Sequence, residues 1–198
     1  MGTVFVDMAM SLDGFVAGPN NDDSGLHDWY FAPSGHAVGV IDELLHTIGA
    51  MIIGRRSFGD HPEGFDTPYK VPHFVLTHTP RQTVTNGDVP FIFVADGIER
   101  ALAQAQAAAG EKAVCIAGGA ATAQQFLNAG LVDEIQIHLV SKLLGDGLRL
   151  FAHGTPVALE RTRVLESPGV THLRFRVITY RATLIEMTQD GIIGLHKS

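Results

Sequence analysis

The chain has little from which a disulfide, a metal centre or a membrane span could be built. It holds one cysteine, Cys115, in 198 residues, so no intrachain disulfide can form, and the zinc-deaminase pattern that ends in Pro-Cys-x-x-Cys is excluded. The ten histidines show no regular ligand spacing, and no metal site is expected. No apolar run approaches the length of a bilayer-spanning helix. The start, MGTVFVDMAM, has no basic segment and soon reaches Asp7, so no secretory signal is expected and a cytoplasmic setting is. Positive charge is also scarce. The formal net charge is −7, which argues against a nucleic-acid partner, though a local arginine pair could still hold a small phosphorylated ligand. Apolar residues make up 45% and charged residues 18% of the chain, an ordinary balance for one well-buried globular unit.

What is present is an alternation of strand and helix patterns. Short apolar runs at Val4–Met10, Ala50–Ile53, His73–Thr77, Phe91–Ala95 and Ala113–Ala117 read as strands covered on both faces. Helices are expected over Val38–Thr47, Ile98–Ala109 and Ala120–Ala129. The segments Gly18–Gly25, Asp60–Val71 and Thr79–Pro90 are rich in turn formers and read as loops within one domain. Beyond Gly130 the period becomes two. Ile135, Ile137 and Leu139 alternate with polar residues in a strand over Asp133–Val140, and Leu173, Phe175 and Val177 alternate with His172, Arg174 and Arg176. This pattern predicts antiparallel strands with one wet face, joined through a turn at Ser167-Pro168-Gly169. The fold class is therefore α/β, a mostly parallel central sheet with antiparallel C-terminal strands. The last segment, 181–198, reads as an edge hairpin around Gln189-Asp190-Gly191 or as a tail.

Four motifs fall where parallel strands end, which is where open α/β sheets bind ligands. They are SLDGFVAG (Ser11–Gly18), IGRRSF (Ile53–Phe58), VLTH (Val75–His78) and AGGA (Ala117–Ala120). Gly118 and Gly119 have no Cβ, so backbone can approach a pyrophosphate, with Ala120, Ala121 and Thr122 supplying N–H groups and a hydroxyl at a helix start. The same pair would also serve as a plain tight turn. Arg55 and Arg56, following Gly54, suit a phosphate monoester, or else are solvated surface groups. Ser57 is expected to begin the next helix, as its N-cap or as a phosphate ligand. His78 reads equally as a phosphate partner or a surface histidine. Trp29, Tyr30 and Phe31 read as a stacking surface for a heterocycle or, more simply, as core cover, and Cys115 as core filler.

In this order and spacing, together with Gly130–Leu139 and Leu144–Phe151, the motifs resemble the dihydrofolate-reductase-like superfamily, and within it the riboflavin-biosynthesis branch, the reductase domain of the deaminase-reductase in stand-alone form. The likeness covers about residues 3–180, so residues 1–180 are expected to form the reductase domain. It implies an enzyme that binds NADPH across the sheet and transfers hydride to a carbonyl or imine carbon, as in reduction of 5-amino-6-(5-phosphoribosylamino)uracil. It further implies that Arg55 meets the cofactor's 2′-phosphate and that Thr77 lies near the adenosine phosphate. Backbone near Ala9 and Val16 would hold the carboxamide, and Ala17 would leave the ring face open. Ser11 and Asp13 would stand beside the substrate, with Asp13 either the proton partner or a turn former that shapes its loop. A homodimer is expected. Dihydrofolate is disfavoured because Trp29–Gly35 holds no carboxylate for an amidine edge. A dihydrofolate or pteridine reductase, and a non-catalytic NADPH-binding regulator, remain as alternatives.

Overall fold

The computed structural model describes residues 2–151, 154 and 156–178; the expected C-terminal hairpin lies outside them. The strands are β1 (Val4–Ser11), β2 (Phe15–Ala17), β3 (Ile48–Gly54), β4 (His73–Leu76), β5 (Val84–Asn86), β6 (Val89–Val94), β7 (Ala113–Gly118), β8 (Glu134–Val140), β9 (Leu148–Arg149), β10 (Ala158–Ser167) and β11 (Val170–Ile178). The helices are α1 (Asp28–Phe31), α2 (His36–Thr47), α3 (Arg55–Phe58), α4 (Ile98–Ala109) and α5 (Ala120–Asn128).

Nine strands form one sheet in the order β10-β11-β8-β1-β7-β3-β4-β6-β5. The run from β8 to β6 is parallel, and the pairs β11–β8, β10–β11 and β5–β6 are antiparallel. Alternate residues of the central strands point to opposite faces. Val4, Val6, Ala50, Ile52, Val114 and Ile116 pack beneath the small-residue faces of α4 and α5, at Ala101, Ala105, Ala109, Ala120 and Ala123. On the other face Phe5, Met51 and Cys115 meet Val40 and Leu44 of α2. The result is a three-layer sandwich, with Cys115 as the expected filler.

Three expectations need correction. The Thr79–Pro90 loop contains β5, an edge strand too short and polar to stand out as a pattern. Phe15–Ala17 and Leu148–Arg149 pair as a separate two-stranded sheet. The even-numbered face of β8 is not wet. Gln136 and His138 are 2% and 1% exposed, because β8 lies inside the sheet and Trp29, Leu26 and Ala37 cover that face.

Candidate active site

The carboxyl ends of β3, β4, β6 and β7, with the β2 segment that follows β1, close around one cleft of about 920 Å³. Its lining brings together Val16, Ala17, Gly54, Arg55, Arg56, Ser57, Thr77, His78, Gly119, Ala120, Ala121 and Thr122, four motifs scattered over more than a hundred positions. Ala9, Ala117 and Gly118 do not line it. Ala9 is buried against Leu26 and Trp29 on the far side of β1, while Gly118 packs behind the wall.

The floor is a glycine-only junction. Gly119 precedes α5 at φ +82°, a left-handed conformation that strains any L side chain. A Cβ on Gly118 would stand 2.9 Å from Ser57 Cβ, and one on Gly54 would stand 2.6 Å from Thr122 Oγ1. The Thr122 N–H bonds back to Gly119 O at 2.9 Å. The first N–H groups of α5, at Ala120 and Ala121, have no carbonyl within the helix to bond. A second helix also opens here: Gly97, at φ +94°, precedes α4, and both Gly97 and Ile98 line the cleft. Two helix starts thus point positive dipole ends and unpaired donors into one space. This floor fits the phosphates of a dinucleotide.

Ser57 is not an N-cap. The helix begins at Arg55, Gly54 occupies the cap position, and no side chain caps it. The β3 chain turns straight into α3 without an extra residue, which places the Ser57 side chain over Gly118 and Gly119. Thr77 closes a tight turn. Its hydroxyl donates to Thr79 O and accepts from Thr79 N–H, both at 3.2 Å. Arg55 is drawn back onto its own helix end: Nη1 donates to Gly59 O at 2.5 Å, and Nη2 lies 3.4 Å from Asp60 Oδ1. Arg56 and His78 make no polar side-chain contact among the described residues.

Ser11 and Asp13 stand outside the cleft lining. The Ser11 hydroxyl donates to Asp13 Oδ1 at 2.6 Å and accepts the Phe15 N–H at 2.9 Å. The Asp13 carboxylate also accepts N–H bonds from Leu144 at 3.1 Å and Gly145 at 2.8 Å. These donors, Ser11 foremost, lower its pKa to about 2. Arg149 donates to Asp13 O at 3.0 Å and stacks 4.3 Å from the Phe15 ring. Gly147 meets Ala17 O so closely that a Cβ there would come within 2.1 Å. The Ser11–Gly18 and Leu144–Phe151 motifs are thus two halves of one clasp, and Asp13 is its knot.

Sequence reasoning missed Arg81, Gly97 and Leu148, all of which line the cleft. Gly97 carried a usable signal, a glycine between a strand and a helix. Arg81 carried none, since only the pairing of β4 with β6 brings its loop to the cleft.

A second polar region lies on the α2 face. His138 Nε2 is 3.0 Å from Asp7 Oδ1, and His138 Nδ1 is 2.7 Å from His172 Nδ1. His172 Nε2 is 3.2 Å from Ser167 Oγ. Gln136 donates to Asp7 at 3.0 Å and accepts from Arg163 at 3.1 Å. Glu43 of α2 bridges Arg163 and Arg174 at 2.5 and 2.8 Å. Burial, then the neighbouring His138, lowers the His172 pKa to about 4. Trp29 stacks 4.3 Å from His138, with its Nε1 buried and unpaired.

A mostly parallel sheet with antiparallel C-terminal strands, carrying a phosphate-suited cleft across its strand ends, is the architecture of the dihydrofolate-reductase-like class. Enterococcus faecalis dihydrofolate reductase complexed with NADP(H) superposes with a TM-score of 0.59 at 16% identity, over 89% of this chain and 96% of that one. The chain belongs to the RibD C-terminal domain family, whose model matches residues 2–175. The Bacillus subtilis (strain 168) protein YyaP, described as uncharacterized, is 29% identical over 157 residues, spanning 75% of this chain and 79% of its own. The Thermotoga maritima diaminohydroxyphosphoribosylaminopyrimidine deaminase/5-amino-6-(5-phosphoribosylamino)uracil reductase superposes with a TM-score of 0.65 at 15% identity, over 89% of this chain and 57% of that one.

Proposed function

We propose that the chain is an NADPH-dependent reductase of the riboflavin-biosynthesis type, acting on a carbonyl or imine carbon as in 5-amino-6-(5-phosphoribosylamino)uracil. The observation that carries this reading is a cleft with a glycine-only helix start at its floor and, at one end, cations without a partner among the described residues. The bound cofactor would supply hydride. The chain's own residues bind and orient. Ala120, Ala121 and Thr122 would receive the pyrophosphate, the cationic end would receive the adenosine phosphates, and Val16 and Ala17 would border the nicotinamide.

Asp13 acts in this scheme as a fixed anion rather than an acid. With a pKa of about 2 it holds no proton at neutral pH. Its task is to keep the Val16–Ala17 segment clasped to Leu148, and Ser11 acts through it. The proton that completes the reduction comes from another group or from solvent. The active form is proposed to be a homodimer.

Calorimetric titration with NADPH and NADH tests the reading, followed by NADPH oxidation on adding 5-amino-6-(5-phosphoribosylamino)uracil. Tight NADPH binding with substrate-dependent oxidation is expected. Absence of binding by either nucleotide overturns the reading, and binding without oxidation overturns the substrate.

A further inference from the structure

The cationic end of the cleft holds a guanidinium that the Arg55-Arg56 motif does not contain. Arg81, in the loop between β4 and β5, lines the same space as Arg55, Arg56 and His78. Its guanidinium carbon lies 4.6 Å from the Phe93 ring centroid and 5.9 Å from that of Phe58. Arg55 approaches the same Phe58 ring at 5.8 Å. Phe58 is fully buried, so one rigid ring props two arginines.

The two arginines differ in what their N–H groups do. Arg55 spends its donors on Gly59 O and Asp60. Arg81 makes neither a hydrogen bond nor an ion pair among the described residues, and neither does Arg56. An arginine stacked on aromatic faces keeps its in-plane N–H fork free. Like charges gathered in one cleft repel each other, and a doubly charged phosphate monoester would turn that repulsion into attraction. A free, pre-stacked fork suits such a group better than one already committed.

We propose that Arg81, with Arg56 and His78, is the determinant that reads the 2′-phosphate of the nucleotide, and that Arg55 braces the wall. This rests on the NADPH reading above. It moves the specificity from the residue that the motif favours to one contributed by a different loop.

The test uses calorimetry on the full chain with two probes, adenosine 2′,5′-bisphosphate and adenosine 5′-monophosphate. The wild type is expected to prefer the bisphosphate by about tenfold or more. Arg81→Gln should bring that preference close to unity and leave monophosphate affinity within roughly twofold. Arg81→Lys should restore only part of it, since a point charge lacks the fork. Arg55→Gln should cost less preference than Arg81→Gln. An Arg81→Gln variant that keeps the full preference overturns the proposal, as does an Arg55→Gln variant that loses all of it. A wild type that binds both probes equally overturns it while leaving the nucleotide reading in place. Binding of neither probe overturns both.

Discussion

The cleft and the α2-face cluster are two polar regions of this sheet built on opposite terms. In the cluster, polar groups answer one another, the buried Trp29 Nε1 apart: Asp7 takes His138 and Gln136, His138 takes His172, and Glu43 takes Arg163 and Arg174. In the cleft, donors face outward with no partner among the described residues, at Arg56, Arg81, His78 and the starts of α4 and α5. Buried polar atoms are nearly always satisfied, because leaving one unpaired costs about 1–3 kcal/mol. A satisfied buried network therefore speaks for architecture, whereas Arg56, His78 and Arg81 face solvent around a cavity and are free to exchange water for a ligand. Composition cannot separate the two, since both regions draw on His, Arg, Gln and Ser.

That contrast gives orthogonal outcomes. His138→Leu removes one of the two partners of Asp7 and of His172 inside the sheet and should destabilise the protein by about 2–4 kcal/mol in urea unfolding, while the folded fraction still binds NADPH. A variant equally stable but unable to bind would collapse the distinction. Gly119→Ala should do the reverse. Forcing a Cβ onto φ +82° should weaken NADPH at least tenfold, at a stability cost of only about 1–2 kcal/mol.

Acid should find the cluster before the cleft. The pKa of His172 lies below the ordinary 6.5, at about 4, so between those values the unfolded chain binds the proton that the native one refuses. Stability should be full above pH 6.5, fall as the pH drops from 6.5 towards 4 and level off below that, and His172→Phe should flatten that slope in thermal melts across pH 4–7. Asp13→Asn should leave the core intact but loosen the clasp, read as faster amide exchange at Leu144 and Gly145 and slower turnover. The smallest effect belongs to Cys115. Buried, with its thiol pKa pushed up by desolvation, it should ignore a thiol reagent in native buffer and react only on unfolding.

Much of this was legible in local pattern. The helix over Ile98–Ala109 falls on its expected residues, because its small-residue stripe and Gly110 stop are written into adjacent positions. The Gly118-Gly119 junction was equally plain, since strand, turn and helix follow within ten residues. What failed was whatever depends on neighbours in space. The alternation of β8 reads as half-exposed until β11 and Trp29 are placed beside it. Ser57 looks like a cap because nothing in IGRRSF shows that the helix opens two residues earlier. Asp13 shows its carboxylate in the motif but not the backbone N–H groups of Leu144 and Gly145 that fix its charge. Arg81 lies in a stretch of turn formers that gives no hint of Phe93 beneath it.

Trp29 is the chain's single tryptophan, and it rests against His138 and His172. All indole emission from this protein therefore originates in the paired network and none in the cleft. Protonated imidazole quenches indole, so the emission should dim as His172 gains charge. Evolution has left a built-in optical reporter on the structural half of the molecule, which can be followed without a label while the other half is titrated.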